Sequence, residues 1–425
     1  MLSGKEERKP LNGNIEKTIS YIMAIPKSED DIKDPIPIIN RIKESNLFKF
    51  KNVDMEENLV IVVEYKGIDY EIELIPEDLE LSDLYTVNHT LTEENYNALT
   101  KAEVGVTVAM KFSDSIMDSY HLQLKILYTI LPDMIAGLDF CTERILSGVW
   151  IKLAALSNIN PSPDYIYSIQ AISGEHDDVW LHTHGLNRCG SIEIEILESD
   201  KENFNTHGQL LQTIAKRIIS EGGFIDEENL FFAARINDGE PLIVTWIRWT
   251  RAMKLLDSQD TIGGIQDRIE SHKDNTGVIY VYSCEDDYIN KKFTKIQEYS
   301  DALNNNSMMM LTTEETERMS SLAKERVNYL IEAVKDSRIK AIIKMGLLVD
   351  DEYQNETNTT KEHLWFEVKE INGNIVKAIR TQDAYYIKKF SAQNEYELNI
   401  DDLTDWIIYT DKRSITPDSV YLFEL

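Results

Sequence analysis

The chain has 425 residues, of which 42% are hydrophobic and 28% charged, a mixture typical of a globular protein with two or three domains. Its 74 acidic side chains outnumber its 44 basic ones and give a formal net charge of −30, which argues against binding to nucleic acid or to anionic membranes. The same charge favours solubility and would complement a basic protein partner.

The three cysteines, Cys141, Cys189 and Cys284, are odd in number and widely spaced, so we expect no disulfide framework. The first nine residues are charged and lack the apolar core of a signal peptide, and no apolar run reaches the length of a membrane span. We therefore expect a cytoplasmic protein. Frequent Ile, Asn and Lys suit an AT-rich bacterial genome.

The first part of the chain predicts a disordered tail at residues 1–14 and a small α+β unit over residues 15–100. Two alternating segments flank Lys66-Gly67, which is a hairpin signal. The predicted elements of this unit are a strand at 17–24, a short helix at 31–45, and strands at 59–64 and 68–74.

Residues 101–300 predict an α+β domain in which strands and helices follow one another in blocks. Helices are expected at 118–130, from Pro132 to about Leu146, and at 207–221, where Gly222-Gly223 ends the pattern. Strands are expected at 104–112, 165–172, 179–184, 191–197, 231–236, 242–249 and 277–283.

The last part predicts a linker and a helix over residues 301–345 and a β-rich module over residues 346–425. Four or five short strands follow one another closely, with a tight turn at Asn372-Gly373, which is typical of a small barrel or sandwich. The predicted fold class is therefore α+β, with mixed and antiparallel sheets and a small β-barrel-like C-terminal module.

This last segment resembles the bacterial domain of unknown function (DUF) 2314. The resemblance rests on Glu362-His-Leu-Trp-Phe-Glu-Val-Lys369, on Asn372-Gly373 and on the later Asp405-Trp406. The chain departs from the family at Ala392-Gln-Asn-Glu395, where the family tends to carry Gly-Asp, and this weakens the carry-over of a shared turn.

The upstream region resembles a second family, DUF 4026. The matching stretches are Pro161-Ser-Pro-Asp-Tyr165, then Asp178-Val-Trp-Leu-His-Thr-His-Gly-Leu-Asn-Arg-Cys-Gly190, then Glu193-Ile-Glu-Ile196. Neither family has an activity to carry over. Related modules look like parts of bacterial toxin–immunity neighbourhoods, so the resemblance implies a binding role.

The segment Asp178–Gly190 also contains a candidate metal site. If residues 179–184 form a strand, His182 and His184 project from one face and can share a metal ion. Glu193 and Glu195 share a face of the next strand, which should pair with the first. Two imidazoles that face two carboxylates would suit zinc, manganese or iron, and a bound water would then be activated for hydrolysis.

Alternatives to this site stay open. Further metal donors could be His176, Cys189 or His207, and Trp180 on the same face is also compatible with ordinary core packing. In the turn region, Arg188 could clamp an anion, cap the turn or pair with Glu193. As a nucleophile Cys189 would need a base such as His184, whereas a buried inert thiol is the commoner outcome.

The sequence contains no nucleotide-binding loop, nucleophile elbow or H-E-x-x-H motif. The leading functional prediction is therefore a non-enzymatic interaction or regulatory protein of the immunity type, without a cofactor, that meets a basic partner. The first alternative is a metal-dependent hydrolase that uses zinc or another divalent metal at His182 and His184. The second is a small-ligand sensor with the C-terminal module as the reader.

Overall fold

The computed structural model describes residues 15–55, 58–82, 85–174, 177–222, 226–236, 239–256, 261–268, 272, 275–305, 313–353, 360–390 and 395–424. These residues form two compact units. Unit 1 draws on residues 1–89, 95–148 and 163–310, and unit 2 on residues 90–94, 149–162 and 311–425. The predicted α+β class is confirmed.

The first sheet of unit 1 has eight strands in the order β2-β3-β4-β6-β1-β7-β8-β5. Its pairs are antiparallel apart from the parallel pair of β5 and β8. Because β1 pairs with β6 and β7, strands from both sides of residue 100 share this sheet. The strands are β1 (Ile19–Ile25), β2 (Lys49–Asp54), β3 (Leu59–Tyr65), β4 (Ile68–Asp78), β5 (Thr86–Val87), β6 (Val104–Lys111), β7 (Ala136–Asp139) and β8 (Arg144–Ser147).

The region from Pro132 to Leu146 was expected to be a helix, and this prediction is wrong, since β7 and β8 lie there. Both strands are almost entirely buried, and β8 places the apolar side chains of Ile145 and Leu146 on opposite faces. A short apolar run of this kind has the same pattern in a buried strand as in a buried helix, and only its pairing with β1 decides between them.

The second helix of unit 1 starts at residues that stabilise a helix N-terminus. In the second helix, Pro35 occupies the first position, where no backbone N–H is needed, and the Asp34 carboxylate accepts a hydrogen bond from the amide of Ile36. The helices of this part of unit 1 are α1 (Asp30–Lys33), α2 (Pro35–Glu44), α3 (Glu93–Leu99) and α4 (Ile116–Ile130), whereas α5 (Gly148–Leu156) lies almost entirely in the segment 149–162 of unit 2.

The second sheet of unit 1 has six strands in the order β12-β13-β14-β11-β10-β9, with one parallel pair, β11 and β14. The two expected strands at 231–236 and 242–249 pair with each other as an antiparallel hairpin, β12 and β13. Asn237 and Asp238, which lie between them, are outside the described residues. The strands are β9 (Ser168–Ser173), β10 (Asp178–His184), β11 (Glu193–Asp200), β12 (Phe231–Ile236), β13 (Glu240–Arg248) and β14 (Thr276–Val281).

The longest helix of this region, α6 (Phe204–Glu221), packs the apolar stripe predicted from the sequence against β10 and β11. It ends at Gly222, as expected. Three short helices follow: α7 (Trp249–Ala252), α8 (Glu285–Ile289) and α9 (Ser300–Asn304). No helix among the residues described above is long and apolar enough to cross a membrane.

Unit 2 contains a six-stranded antiparallel sheet in the order β18-β17-β16-β15-β19-β20, with α10 (Thr313–Glu325) and α11 (Val327–Ala333). Within the described residues the sheet stays open rather than closing into a barrel. The indole of Trp406 is fully buried and donates to the carbonyl of Ala323, which fixes α10 on the sheet. The strands are β15 (Lys340–Leu348), β16 (Lys361–Asn372), β17 (Ile375–Arg380), β18 (Glu395–Asn399), β19 (Leu403–Tyr409) and β20 (Ser414–Ile415).

Candidate metal centre

The strand β10 presents His182 and His184 on one face, because successive side chains of a strand alternate between faces. The strand is covered on both edges, by β9 and by β11. Only 1% of His182 and 7% of His184 is exposed. The ring centroids of the two histidines lie 4.9 Å apart, so the pair predicted from the sequence is present.

A third histidine, His272, joins this pair. It is 6% exposed, and its Nε2 lies 3.2 Å from Nε2 of His184. Each of the three rings offers one nitrogen, and the three nitrogens lie within 4.8 Å of one another. His272 was not predicted from the sequence, since it lies 88 residues beyond His184 in a segment without periodic pattern. The rarity of histidine, eight in the chain, was the one available signal.

The geometry of the three rings suits a shared ion. Their centroids are 4.6–4.9 Å apart, and their planes meet at 66–84°. With zinc–nitrogen bonds of about 2.0–2.1 Å and tetrahedral angles, two ligating nitrogens lie about 3.3 Å apart. The separation of 3.2 Å between His184 and His272 matches that value.

His182 is the least satisfied member of the cluster. Both its ring nitrogens are buried, and neither has a hydrogen-bond partner in the part of the chain that the structure describes. Its ring stacks on the indole of Trp180, with centroids 4.1 Å apart and planes inclined at 31°. A buried polar group without a partner costs about 1–3 kcal/mol, so a ligand bound to His182 would stabilise the folded protein.

Burial keeps all three imidazoles neutral. It lowers the pKa of His182 to about 2, with further lowering by His184, His272 and Arg268. Burial likewise lowers the pKa of His184 and of His272 to about 4 each. Neutral imidazole is the form that binds metal, so the cluster needs no deprotonation before an ion enters near pH 7.

Glu195, which was predicted to be a metal ligand, lies near the cluster but binds other protein groups. Its carboxylate receives hydrogen bonds from both terminal nitrogens of Arg268, at 3.1 and 2.8 Å, from Nε1 of Trp180 at 2.7 Å and from Oγ1 of Thr276 at 3.0 Å. Its oxygens are therefore engaged, and the cluster of possible metal ligands among the described residues does not include it.

The structure does not bring Glu193 to the cluster either. The ladder between β10 and β11 ends at the pair His182–Glu195, and beyond it the Thr183 hydroxyl accepts the amide of Ile194. The strands separate there, so Glu193 turns to the connecting loop. Its carboxylate accepts from Oγ1 of Thr183 at 2.7 Å and from the amides of Gly185 and Asn187 at 2.8 and 3.0 Å.

The loop residues Arg188 and Cys189 are both buried. The Arg188 guanidinium forms two hydrogen bonds with Asp139 of β7, at 3.0 and 3.2 Å, and donates to the carbonyl of Ile166. Of the roles considered for Arg188, it binds an anion, and this anion is the carboxylate of Asp139, which also belongs to unit 1. Burial raises the pKa of the Cys189 thiol to about 12, so it does not supply a thiolate near neutral pH.

The other donors considered from the sequence lie elsewhere. His207 is buried between two hydroxyl groups, with Nδ1 2.7 Å from Oγ of Ser199 and Nε2 3.0 Å from Oγ of Ser300. His176 lies outside the described residues. The centre is therefore assembled from His182, His184 and His272, two of them predicted and one not.

Comparison with known families covers most of the chain. Residues 20–161 match the description "Protein of unknown function (DUF4026) N-terminal", and residues 169–280 match "Protein of unknown function (DUF4026) C-terminal". Residues 314–418 match "Uncharacterized protein conserved in bacteria (DUF2314)". No curated protein and no solved structure matches significantly. The three histidines all lie in the second of these regions.

Proposed function

The chain belongs to the DUF4026 family and carries a DUF2314 module, and we propose from its cluster of three histidines that it is a metal-dependent protein. His182, His184 and His272 hold one divalent ion, and zinc is the first choice because three imidazole nitrogens suit it best among the biologically common ions. The proposal concerns the C-terminal DUF4026 region of unit 1.

One observation carries the proposal: His182 is a buried imidazole with no hydrogen-bond partner for either nitrogen in the described residues, and it faces two other histidines. Core histidines elsewhere in the chain are satisfied. His207, for example, uses both nitrogens on hydroxyl groups. A shared cation would give His182 a partner and would replace the hydrogen bond between His184 and His272 with coordination bonds.

The three histidines match the number of protein ligands in a catalytic zinc site. Structural zinc sites use four protein ligands, whereas catalytic sites use three and leave a position for water or substrate. The described residues supply three. When bound, such an ion lowers the pKa of a coordinated water and so supports hydrolysis. This supports the hydrolase alternative, while a basic protein partner and a ligand-sensing C-terminal module stay predictions from the sequence.

Elemental analysis of the purified full chain tests the proposal. We expect about one equivalent of a divalent metal per chain, with zinc retained after dialysis against zinc-free buffer. The variants His182→Ala, His184→Ala and His272→Ala should each lose most of it. His363→Ala is the matched control, since His363 is an exposed histidine on β16 of unit 2 and should keep the full metal content.

Two outcomes would contradict the proposal. One is a wild-type protein that carries no metal above background and takes up none in a titration with Zn²⁺. The other is a wild-type level of metal in the three cluster variants, which would place the bound ion elsewhere. Circular dichroism of each variant ensures that a loss of metal is not a loss of fold.

A further inference from the structure

We propose that the buried ion pair of Glu195 and Arg268 is the positioning unit of this metal centre. Glu195 acts on metal binding through Arg268 and Trp180, not as a ligand. This inference rests on the proposed function, and it assigns to Glu195 a role different from the one expected from the sequence. Both side chains are almost completely inaccessible to solvent.

The first link runs from Glu195 to the backbone of His272. The Glu195 carboxylate holds the guanidinium of Arg268 with two hydrogen bonds. The same guanidinium donates to the carbonyl of His272 at 3.0 Å and, through Nε, to the carbonyl of Gly263 at 2.9 Å. Residues 261–268 form turns with neither strand nor helix. The hydrogen bonds of Arg268 therefore fix these residues relative to β11 and to His272, where no strand pairing does so.

The second link runs from Glu195 to the ring of His182. Oε2 of Glu195 accepts a hydrogen bond of 2.7 Å from Nε1 of Trp180. The indole so held is the surface on which His182 stacks, and it also meets the ring of His272 edge-on at 5.3 Å. One carboxylate therefore orients two of the three histidines, which lie on separate parts of the chain.

The guanidinium of Arg268 is itself held in place by two aromatic rings. Its central carbon lies 5.0 Å from the centroid of Trp180 and 4.3 Å from that of Trp249. A planar cation between two indoles and a bidentate carboxylate has little freedom left. The pair is thus suited to transmit the position of β11, which carries Glu195, to the backbone carbonyl of His272.

Charge explains why Glu195 stays with Arg268 when an ion is bound. If the carboxylate moved to the metal, the buried guanidinium would lose its counter-charge, and a buried charge without a partner is strongly unfavourable. The three neutral imidazoles can instead accept the ion while the pair remains intact. Outer groups that orient metal-binding histidines commonly change metal affinity by about 10- to 100-fold.

Metal affinity of Glu195→Gln, measured in the full chain by competition between the protein and a chromophoric chelator for Zn²⁺, tests the inference. We expect binding about 10- to 100-fold weaker than in the wild type. The matched control is Glu315→Gln, which removes a largely buried carboxylate that likewise holds an arginine, Arg318, with two hydrogen bonds. For this control we expect a change below about threefold, because the pair Glu315–Arg318 belongs to unit 2, whereas the three histidines belong to unit 1.

A second variant separates positioning from folding. Glu195→Gln leaves Arg268 buried without a counter-charge and so also lowers stability. The double variant Glu195→Gln/Arg268→Met removes both charges, and we expect its melting temperature to return towards that of the wild type. Its affinity for Zn²⁺ should stay about 10- to 100-fold weaker, because the carbonyl of His272 has lost its hydrogen bond from Arg268.

The outcomes distinguish the two proposals. If the wild type binds no Zn²⁺, the proposed function fails. If the wild type binds and both Glu195 variants bind equally well, the metal site stands and the positioning role is wrong. A recovery of affinity together with stability in the double variant would show a purely structural pair. Absorption spectra with Co²⁺ complete the test: band intensities that keep the same coordination number in Glu195→Gln exclude the loss of a ligand, whereas a change of coordination number would make Glu195 a ligand and overturn the inference.

Discussion

A single carboxyl group, Asp405 on β19, links the stability of unit 2 to pH. Burial raises its pKa from the ordinary value of 3.8 to about 6, against the opposing effects of a hydrogen bond from the Trp406 amide and of Lys344. Because the folded-state pKa lies above the unfolded-state value, the folded protein favours the protonated acid. The ionised form therefore destabilises the fold above about pH 6, and this penalty disappears as the pH falls towards 3.8.

The variant Asp405→Asn tests this effect, since it keeps an acceptor for the Trp406 amide but carries no charge. A shift of this size corresponds to at most about 3 kcal/mol, and partial exposure of the side chain reduces our expectation to about 2 kcal/mol. The variant should be more stable than the wild type at pH 8, with a difference that shrinks through pH 6 and is small near pH 4. Urea unfolding midpoints at each pH provide the measurement. A difference that is constant with pH, or grows towards acid, would contradict the assignment.

At the scale of elements, the connection between β10 and β11 shapes the metal centre. Gly185 follows His184 directly and has φ of +107°, a conformation that L side chains rarely adopt. A Cβ at this position would overlap the carbonyl oxygen of Ile166 and lie 3.0 Å from Cγ2 of Thr142. The backbone at the end of β10 therefore leaves no room for a side chain.

We expect Gly185→Ala to lower the free energy of unfolding by about 2 kcal/mol or more, because it adds a clash to the strain of a positive φ. It should also weaken Zn²⁺ binding, since the clash displaces the residue next to His184. The control is Gly373→Ala in the turn between β16 and β17, where φ is +57° and no atom lies within 4 Å of the added Cβ. That variant should cost about 1 kcal/mol and leave metal binding unchanged. Equal losses in the two variants would show that strain alone, and no close contact, governs Gly185.

The same elements show how much the sequence could predict. The alternation along β10 is local information, and it correctly placed His182 and His184 on one face. The partners of these residues are not local: Arg268 lies 73 residues beyond Glu195, and His272 lies 88 beyond His184. The β10–β11 ladder ends at the pair His182–Glu195, and beyond it Glu193 binds the amides of Gly185 and Asn187. No periodicity in the sequence encodes such an ending.

At the scale of the whole molecule, the net charge of −30 sets the response to salt. Ion pairs on the surface, such as Lys33–Asp30 and Lys335–Glu332, are exposed and each contributes little to stability. Salt weakens these attractions. Salt also weakens the mutual repulsion of the acidic groups. Even if every Lys and Arg is paired with an acidic group, 30 of the 74 acidic groups have no basic side chain to pair with, since 74 minus 44 is 30. Repulsion therefore outweighs attraction.

We expect the melting temperature at pH 7.5 to rise by a few degrees between 20 mM and 300 mM NaCl, which corresponds to about 1 kcal/mol or more. The Debye length falls over this range from about 20 Å to below 8 Å, so repulsion between distant carboxylates is lost first. The control is the same titration near the isoelectric point of about 4.7, where the net charge vanishes and the ion pairs alone respond. There the rise should disappear or reverse. A rise of the same size at both pH values would assign the effect to salting-out of apolar surface, because that contribution does not depend on net charge.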